Sequence, residues 1–323
     1  MTSNFECPIC SNNFWEKCKS FTYEPFACRA SALDNIQYRF TDLRRHILSQ
    51  LWFQGQSEIV LTSLRCKSCG FMCYTPRPSV NDLSLKYEFL NSLPENLTTF
   101  NPSAKRKHVT DKRAARLFKL MMKGQRRDDF KILDYGGKFG GLLKYFVGDQ
   151  LDCYLIDYNI EVESGIKRLG STFNEMPPDM LFNVIICSHV LEHVVDPIDT
   201  LKQFLPFLKS NGMVYVEVPS QIWQGIPIRS DPVTHVNFFS KDSFRTAILR
   251  SGFSIHQLKE SIEPYGTNHK RVIWAVISKG DRLSLMDDRT NRSVNFLRPT
   301  LVQKLRKKIE NRWIKWLNKR LAR

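Results

Sequence analysis

The chain has no apolar run long enough to cross a bilayer. Its longest uncharged stretches, such as MLFNVIICSHVL (180–191), fall short of the ~20 residues a spanning helix needs. The first residues, MTSNFECPIC, lack the apolar centre of an export signal. A cytoplasmic protein is therefore expected. Internal repeats and low-complexity tracts are also missing, so a repeat array is not expected. An even cysteine count is missing too. There are nine, and without an export signal they read as thiols and metal ligands rather than disulfides. Acids are scarce in one region. Residues 298–323 hold ten Lys/Arg against the single acid Glu310, which is +9 of the net +16. The basic excess is mostly a property of this tail, so overall charge does not by itself point to nucleic acid.

What is present suits a soluble globular protein with one large core and a smaller module: 323 residues, 42% hydrophobic and 25% charged. Residues 1–75 hold seven of the nine cysteines. Cys7-Pro-Ile-Cys10 and Cys66-Lys-Ser-Cys69-Gly70 are two knuckles, each turning two thiolates toward one tetrahedral ion. Together they predict a four-cysteine structural zinc site of ribbon type, with Cys18, Cys28 and Cys73 as competing ligands. Between the knuckles, Leu33, Ile36, Phe40, Leu43, Ile47 and Leu51 recur at helical spacing, which predicts an inserted helix.

Residues 76–129 read as a connector with a short helix near 82–90, then a basic helix over 104–123. That helix reads first as a solvated face packed on a sheet, and second as a polyanion site. Aromatics are not interleaved with its basic residues, so a base-stacking platform is missing there.

Residues 130–282 alternate strand and helix. Strands are expected at 131–135, 153–157, near 171–174, 183–188, 213–218, 253–260 and 271–279. Helices are expected at 140–147, 160–168, 197–209 and 240–251. This predicts an α/β fold with a mainly parallel, Rossmann-like seven-stranded sheet whose last strand is antiparallel. Residues 283–323 follow, with a basic amphipathic helix over 298–323. Its Val302, Leu305, Ile309, Trp313, Trp316 and Leu317 form one face, suited to an anionic membrane surface or to docking on its own or a twin subunit.

The most informative stretch is ILDYGGKFGG (132–141). An apolar strand ends on Asp134, and glycines 136, 137, 140 and 141 then let backbone approach a nucleotide-like ligand. The second strand ends on Asp157, where an acid can accept both hydroxyls of a ribose. The fourth runs into CSHVLEHVVDP (187–197), and the fifth lies within LKSNGMVYVEVP (208–219). These stretches, in this order, resemble the class I S-adenosylmethionine-dependent methyltransferases, in particular the subgroup whose fourth strand leads into "vlEHv-dP". RCKSCGFMCYTPRPS (65–79) is similar to the end of the zinc-knuckle module of related bacterial enzymes, often encoded with saccharide biosynthesis genes.

The resemblance implies that Asp134, Gly136, Gly137 and Gly140 line the methionine half of S-adenosylmethionine. It implies Asp157 on the ribose, Tyr158 on the adenine, and Ser188 and His189 facing the sulfonium. Glu192 and His193 border the acceptor pocket. The segment HVNFFS (235–240) makes His235 the first candidate base and His193 the second; a loop-fixing hydrogen bond or a helix-start contact are their plain alternatives. Trp223 and Phe238 read as a stacking wall or as core. One departure is Lys138, which stands where D-x-G-x-G-x-G has its middle glycine. It would crowd the cofactor carboxylate or pair with it, and it leaves a catalytically silent relative as one reading. Pro232 and Thr234 replace the Tyr and Glu of sugar C-methyltransferases, and Cys187 is not in a nucleophile context. Oxygen of a saccharide or other small molecule is the expected acceptor. RNA is the alternative, and peripheral membrane attachment through the tail is a further expectation.

Overall fold

Strand β1 (Trp15–Tyr23) is joined to β2 (Ile59–Cys66) through helix α1 (Phe40–His46) and a π-helical turn, Ile47–Trp52. In this computed structural model, residues 5–26, 40–93, 104–158, 161–223, 226–227, 232–265, 268–280 and Arg312 are described. β2 turns at the second knuckle into β3 (Met72–Thr75), and the three strands form an antiparallel sheet. Cys28 and residues 31–39, with Leu33 and Ile36, lie outside the described residues, as does the 298–323 helix apart from Arg312.

Helix α2 (Val80–Ser92) starts at Ser79, whose hydroxyl accepts from the Asp82 amide while Asp82 accepts from the Ser79 amide. Helix α3 (Ala104–Met121) covers one face of the large sheet with Leu117 and Met121 buried against Ile132 and Phe146.

The large sheet contains β4 (Lys131–Tyr135), β5 (Asp152–Ile156), β6 (Ile166–Gly170), β7 (Phe182–Ser188), β8 (Leu208–Pro219), β11 (Phe253–Tyr265) and β12 (Asn268–Lys279). A small hairpin of β9 (Ile222–Trp223) and β10 (Ile226–Pro227) lies apart from it. The order is β11-β12-β8-β7-β4-β5-β6. β12 is antiparallel to both its neighbours, and the pairings among β4 to β8 are parallel. This is the expected Rossmann-like sheet with an antiparallel last strand. Its order reverses at β4, because β5 and β6 extend to one side and β7 onward to the other. A ligand crevice opens beyond the strand ends at such a reversal.

Two helices differ from expectation. The stretch 160–168 holds no helix among its described residues. Gly165 adopts φ +84 and a Cβ there would meet Val147 Cγ1 at 2.6 Å, so the chain turns and Ile166 begins β6. The third strand thus lies at 166–170 rather than 171–174. Helix α5 (Pro197–Lys202) stops well before 209, because Leu205 precedes Pro206 and is pushed out of helical geometry. Beyond the glycine turn the chain forms a 3-10 turn (Gly141–Leu143) and the one-turn helix α4 (Lys144–Gly148) instead of a continuous 140–147 helix. Helix α6 (Lys241–Arg250) matches its expected span closely.

The knuckle end of the small sheet does not keep a core of its own. Cys7, Ile9, Cys66, Cys69 and Phe71 share one buried cluster with Phe239, Phe244, Ala247 and Leu201. Phe71 meets Phe239 edge-on at 5.6 Å. Met72 and Phe238 exchange two backbone hydrogen bonds, at 3.0 and 2.9 Å. Arg250 donates to the Ile9 carbonyl at 2.8 Å, fastening the first knuckle to α6.

Candidate functional site

The crevice starts at the end of β4. Asp134 is 1% exposed, and neither of its carboxylate oxygens has a hydrogen-bond partner among the described residues. Burial, and then the nearby charge of Asp157, pushes its carboxyl up to about 7, with Arg113 partly offsetting. Gly137 lies directly above it: a Cβ there would sit 2.1 Å from Asp134 Oδ2. Gly136 has φ +74 and leaves room for Val190, whose Cγ2 would be 2.5 Å from a Cβ. Gly140, at φ +83, is filled by Ile166 in the same way, at 2.4 Å.

Lys138 takes φ +56, the left-handed conformation that a glycine adopts without cost. Its side chain is exposed, and its amide donates to Asp157 Oδ2 at 2.8 Å. The replacement therefore keeps the backbone of a glycine turn. Tyr158 follows Asp157 and is exposed, and Tyr87 of α2 stacks on it at 5.6 Å and 15°. Nothing in the connector's sequence points to Tyr87, because its role depends on α2 lying over the crevice.

A second group gathers beyond β7 and β8. Glu217 is fully buried and paired with Arg113 of α3. Ser188 and Tyr215 donate hydroxyl hydrogens to it at 3.0 and 2.7 Å. Burial alone would raise the Glu217 carboxyl. The bond from His189 and the Arg113 charge outweigh that and hold it below the usual carboxylate range. Arg116 is 3.2 Å from Glu263 and donates to the Tyr215 hydroxyl at 3.0 Å. Two of the basic residues of α3 thus turn inward, and the solvated-face reading does not hold for them.

His189 adopts φ +59 and bridges Glu192 (Nδ1 to Oε1, 2.9 Å) and Glu217 (Nε2 to Oε1, 3.2 Å). Burial lowers its pKa, but the bonds to Glu192 and Glu217 together raise it above the ordinary histidine value. His193 and His235 lie with ring centroids 4.8 Å apart at 75°. His193 Nδ1 bonds the Thr234 carbonyl at 2.6 Å, and His235 Nδ1 bonds Gln221 Oε1 at 2.5 Å. Burial pushes both imidazoles down to about 3. Asn237 joins the segments that carry them, donating to the carbonyls of Leu191 and Val194 at 2.7 and 2.6 Å. Lys86 of α2 is buried and donates to the Val233 carbonyl at 3.1 Å. Phe238, considered as a stacking wall, is 3% exposed and packs with Tyr74 in the core. Cys187 is fully buried and its thiol is pushed well up by that burial, as a core residue should be.

The residues expected around the ligand therefore come together at one end of the sheet, in two groups: Asp134, Gly136, Gly137, Asp157 and Tyr158, then Ser188, His189, His193 and His235. Residues 103–258 match the family model of a methyltransferase domain. Over that segment the chain is similar to methyltransferase domains. Solved structures similar to the chain include an S-adenosylmethionine-dependent methyltransferase from Aquifex aeolicus, at 16% identity, 55% of this chain, 99% of that chain and a TM-score of 0.39. Another is a putative S-adenosylmethionine-dependent methyltransferase from Listeria monocytogenes, at 14%, 52%, 100% and 0.40. A pericyclic reaction enzyme is similar at 11% identity and a TM-score of 0.40, over 50% of this chain, which spans 46% of that one. Among curated proteins no match is found.

S-adenosylmethionine fits the crevice on two observations. Asp134 is a buried carboxylate without a hydrogen-bond partner among the described residues, and Gly137 forms a cradle that any side chain would fill.

Away from the crevice, Cys7, Cys10, Cys66 and Cys69 bring four sulfurs within 4.8 Å of one another. Cys7–Cys69 and Cys10–Cys66 are 3.7 and 3.5 Å apart, close to the about 3.8 Å edge of a tetrahedron with 2.3 Å zinc–sulfur bonds. Cys18 and Cys73 stay outside this group. No helix among the described residues is long and apolar enough to cross a membrane.

Proposed function

We propose that the protein transfers a methyl group from S-adenosylmethionine to an oxygen of a small molecule, with saccharides the first class to test. The observation that carries this reading is Asp134, a buried unpaired carboxylate beneath a glycine turn. A cationic ligand is what such a group lacks. On this reading Gly136, Gly137 and Gly140 form the turn, Asp157 holds the ribose hydroxyls, and Tyr158, backed by Tyr87, covers the adenine. Ser188 and His189 border the sulfonium, which supplies the methyl group. The acceptor enters beside His193 and His235. With the Nδ1 atoms of both rings engaged, each presents Nε2 toward the acceptor; one of them, His235 first and His193 second, orients the acceptor hydroxyl and takes its proton as the methyl group moves.

The four cysteines are proposed to hold a structural zinc ion, since four thiolates leave no position open. Peripheral attachment of 298–323 to anionic membranes is tested by vesicle pelleting with and without that segment; equal pelleting removes it. RNA is the weaker reading, because Arg113 and Arg116 are committed to Glu217 and Glu263. Calorimetry with S-adenosylmethionine tests the proposal directly: the wild type binds and Asp157→Ala does not. A metabolite pool with labelled cofactor then identifies the acceptor. On it, His235→Ala should keep cofactor affinity and slow transfer by roughly 10²-fold; an unchanged rate removes His235 from the chemistry.

A further inference from the structure

We propose that Glu192, His193 and His235 form a binding site for one divalent transition-metal ion that holds an oxygen of the methyl acceptor. The inference rests on the acceptor-pocket reading above, and it makes the two imidazoles ligands rather than proton acceptors.

One donor atom from each residue lies within 4.8 Å of the other two, and His193 Nε2 is 3.9 Å from Glu192 Oε1. The tautomers are set by the partners of the opposite ring nitrogens. The Thr234 carbonyl and Gln221 Oε1 can only accept, so His193 and His235 must each carry the proton on Nδ1. Both Nε2 lone pairs are therefore available. A ring N–H held by a carbonyl or amide oxygen is also how metal-binding histidines are oriented. The third donor is independent evidence. Glu192 is 1% exposed; one oxygen accepts from His189, and the other has no partner among the described residues. A buried carboxylate oxygen left unpaired is costly, and a cation would satisfy it.

The backbone fixes this arrangement. The amides of Val236 and Asn237 donate to the Glu192 carbonyl at 2.9 and 3.2 Å, and Asn237 clamps the two segments from the side-chain end. Two imidazoles and one carboxylate suit Mn2+, Fe2+, Co2+ or Zn2+ better than Mg2+ or Ca2+. Bonds of about 2.1 Å hold donors roughly 3.0–3.5 Å apart, so ion entry draws these side chains inward by about 1 Å. Three protein ligands leave positions open, and a hydroxyl or diol oxygen of the acceptor fills them. The four-cysteine cluster takes the softer binding role, which separates the two sites by ligand type.

The test uses Co2+ added to the zinc-loaded full chain. The expected result is uptake of one equivalent with the visible bands of nitrogen and oxygen ligation, no thiolate charge-transfer band, and unchanged zinc content. Proton NMR of that form should show two exchangeable, paramagnetically shifted imidazole N–H signals, one for each Nδ1–H. Glu192→Gln, His193→Ala and His235→Ala should each weaken Co2+ binding by at least about tenfold. No uptake by the wild type at millimolar Co2+, absence of the shifted N–H signals, or wild-type binding by all three variants overturns the site. S-adenosylmethionine titrated into the same samples separates the two readings. Cofactor binding without Co2+ uptake defeats the metal site alone, whereas failure to bind cofactor defeats the methyltransferase reading.

Discussion

Gly137 is the position where one added methyl group would do most harm. A Cβ there would meet Asp134 Oδ2 at 2.1 Å, and the buried carboxylate has no space to retreat. Gly137→Ala should therefore weaken S-adenosylmethionine binding by more than about tenfold, read by calorimetry, equivalent to ~1.4 kcal/mol. Asp134 itself gives a pH signature. Its carboxyl, raised to about 7, is half protonated near neutrality in the free protein. A cationic ligand favours the ionised form, so binding releases a proton. Affinity should rise with pH up to about 7 and level off above it, and calorimetry in buffers of different ionisation enthalpy should count the proton. The sign for folding is the opposite: the stabilisation linked to protonated Asp134 is full below the unfolded pKa and is lost as pH rises through about 7. Lys138 shows how far a sequence departure can mislead. As a letter it removes a glycine; as a conformation, φ +56 keeps the turn at a cost of about 1–2 kcal/mol.

At the scale of elements, α3 carries the main electrostatic link. Arg113 is only 13% exposed at its side chain and faces a Glu217 that is fully buried. Arg113→Met removes the nearest of that carboxylate's charge partners, leaving His189 and Arg116 at 3.2 and 3.7 Å, and should destabilise the fold by about 3 kcal/mol. The thermal midpoint should fall by roughly 6–10 °C, and adding Glu217→Gln should recover more than half of it. Neither residue stands out in sequence, because partners drawn from a helix and a strand far apart in the chain leave no local spacing to read. Gln221, Asn237, Tyr87 and Lys86 were hidden for the same reason. The strands were legible because each buried run is short, apolar and bounded by polar turns, and Asp134 and Asp157 were legible because each ends such a run. The stretch 160–168 was misread because Val162, Ile166 and Leu169 have helical spacing, while the left-handed Gly165 that breaks it acts through packing on Val147. The resemblance of VLEHVVDP and HVNFFS to the family's segments brought His193 and His235 to notice, but only the fold shows that their rings meet.

At the scale of the whole molecule, the two knuckles and the large sheet are expected to unfold as one cooperative body, since Cys7, Cys66 and Cys69 are buried in the same cluster as Phe239 and Phe244. Cys10→Ser should therefore lower the midpoint of the entire unfolding transition, and calorimetry should show one peak and not two. A separate low-temperature transition with the main one unmoved would mean that the module folds independently.

The fastening of Ile9 by Arg250, and of Met72 by Phe238, also bears on how the chain is made. The knuckles precede in the chain the surfaces that bury them, so they leave the ribosome well before α6 does. Until then Phe71 and the four thiols lack the Phe239 and Phe244 surface that buries them. Metal capture by the thiolates, which needs only the two knuckles, would keep them from oxidation until α6 has emerged.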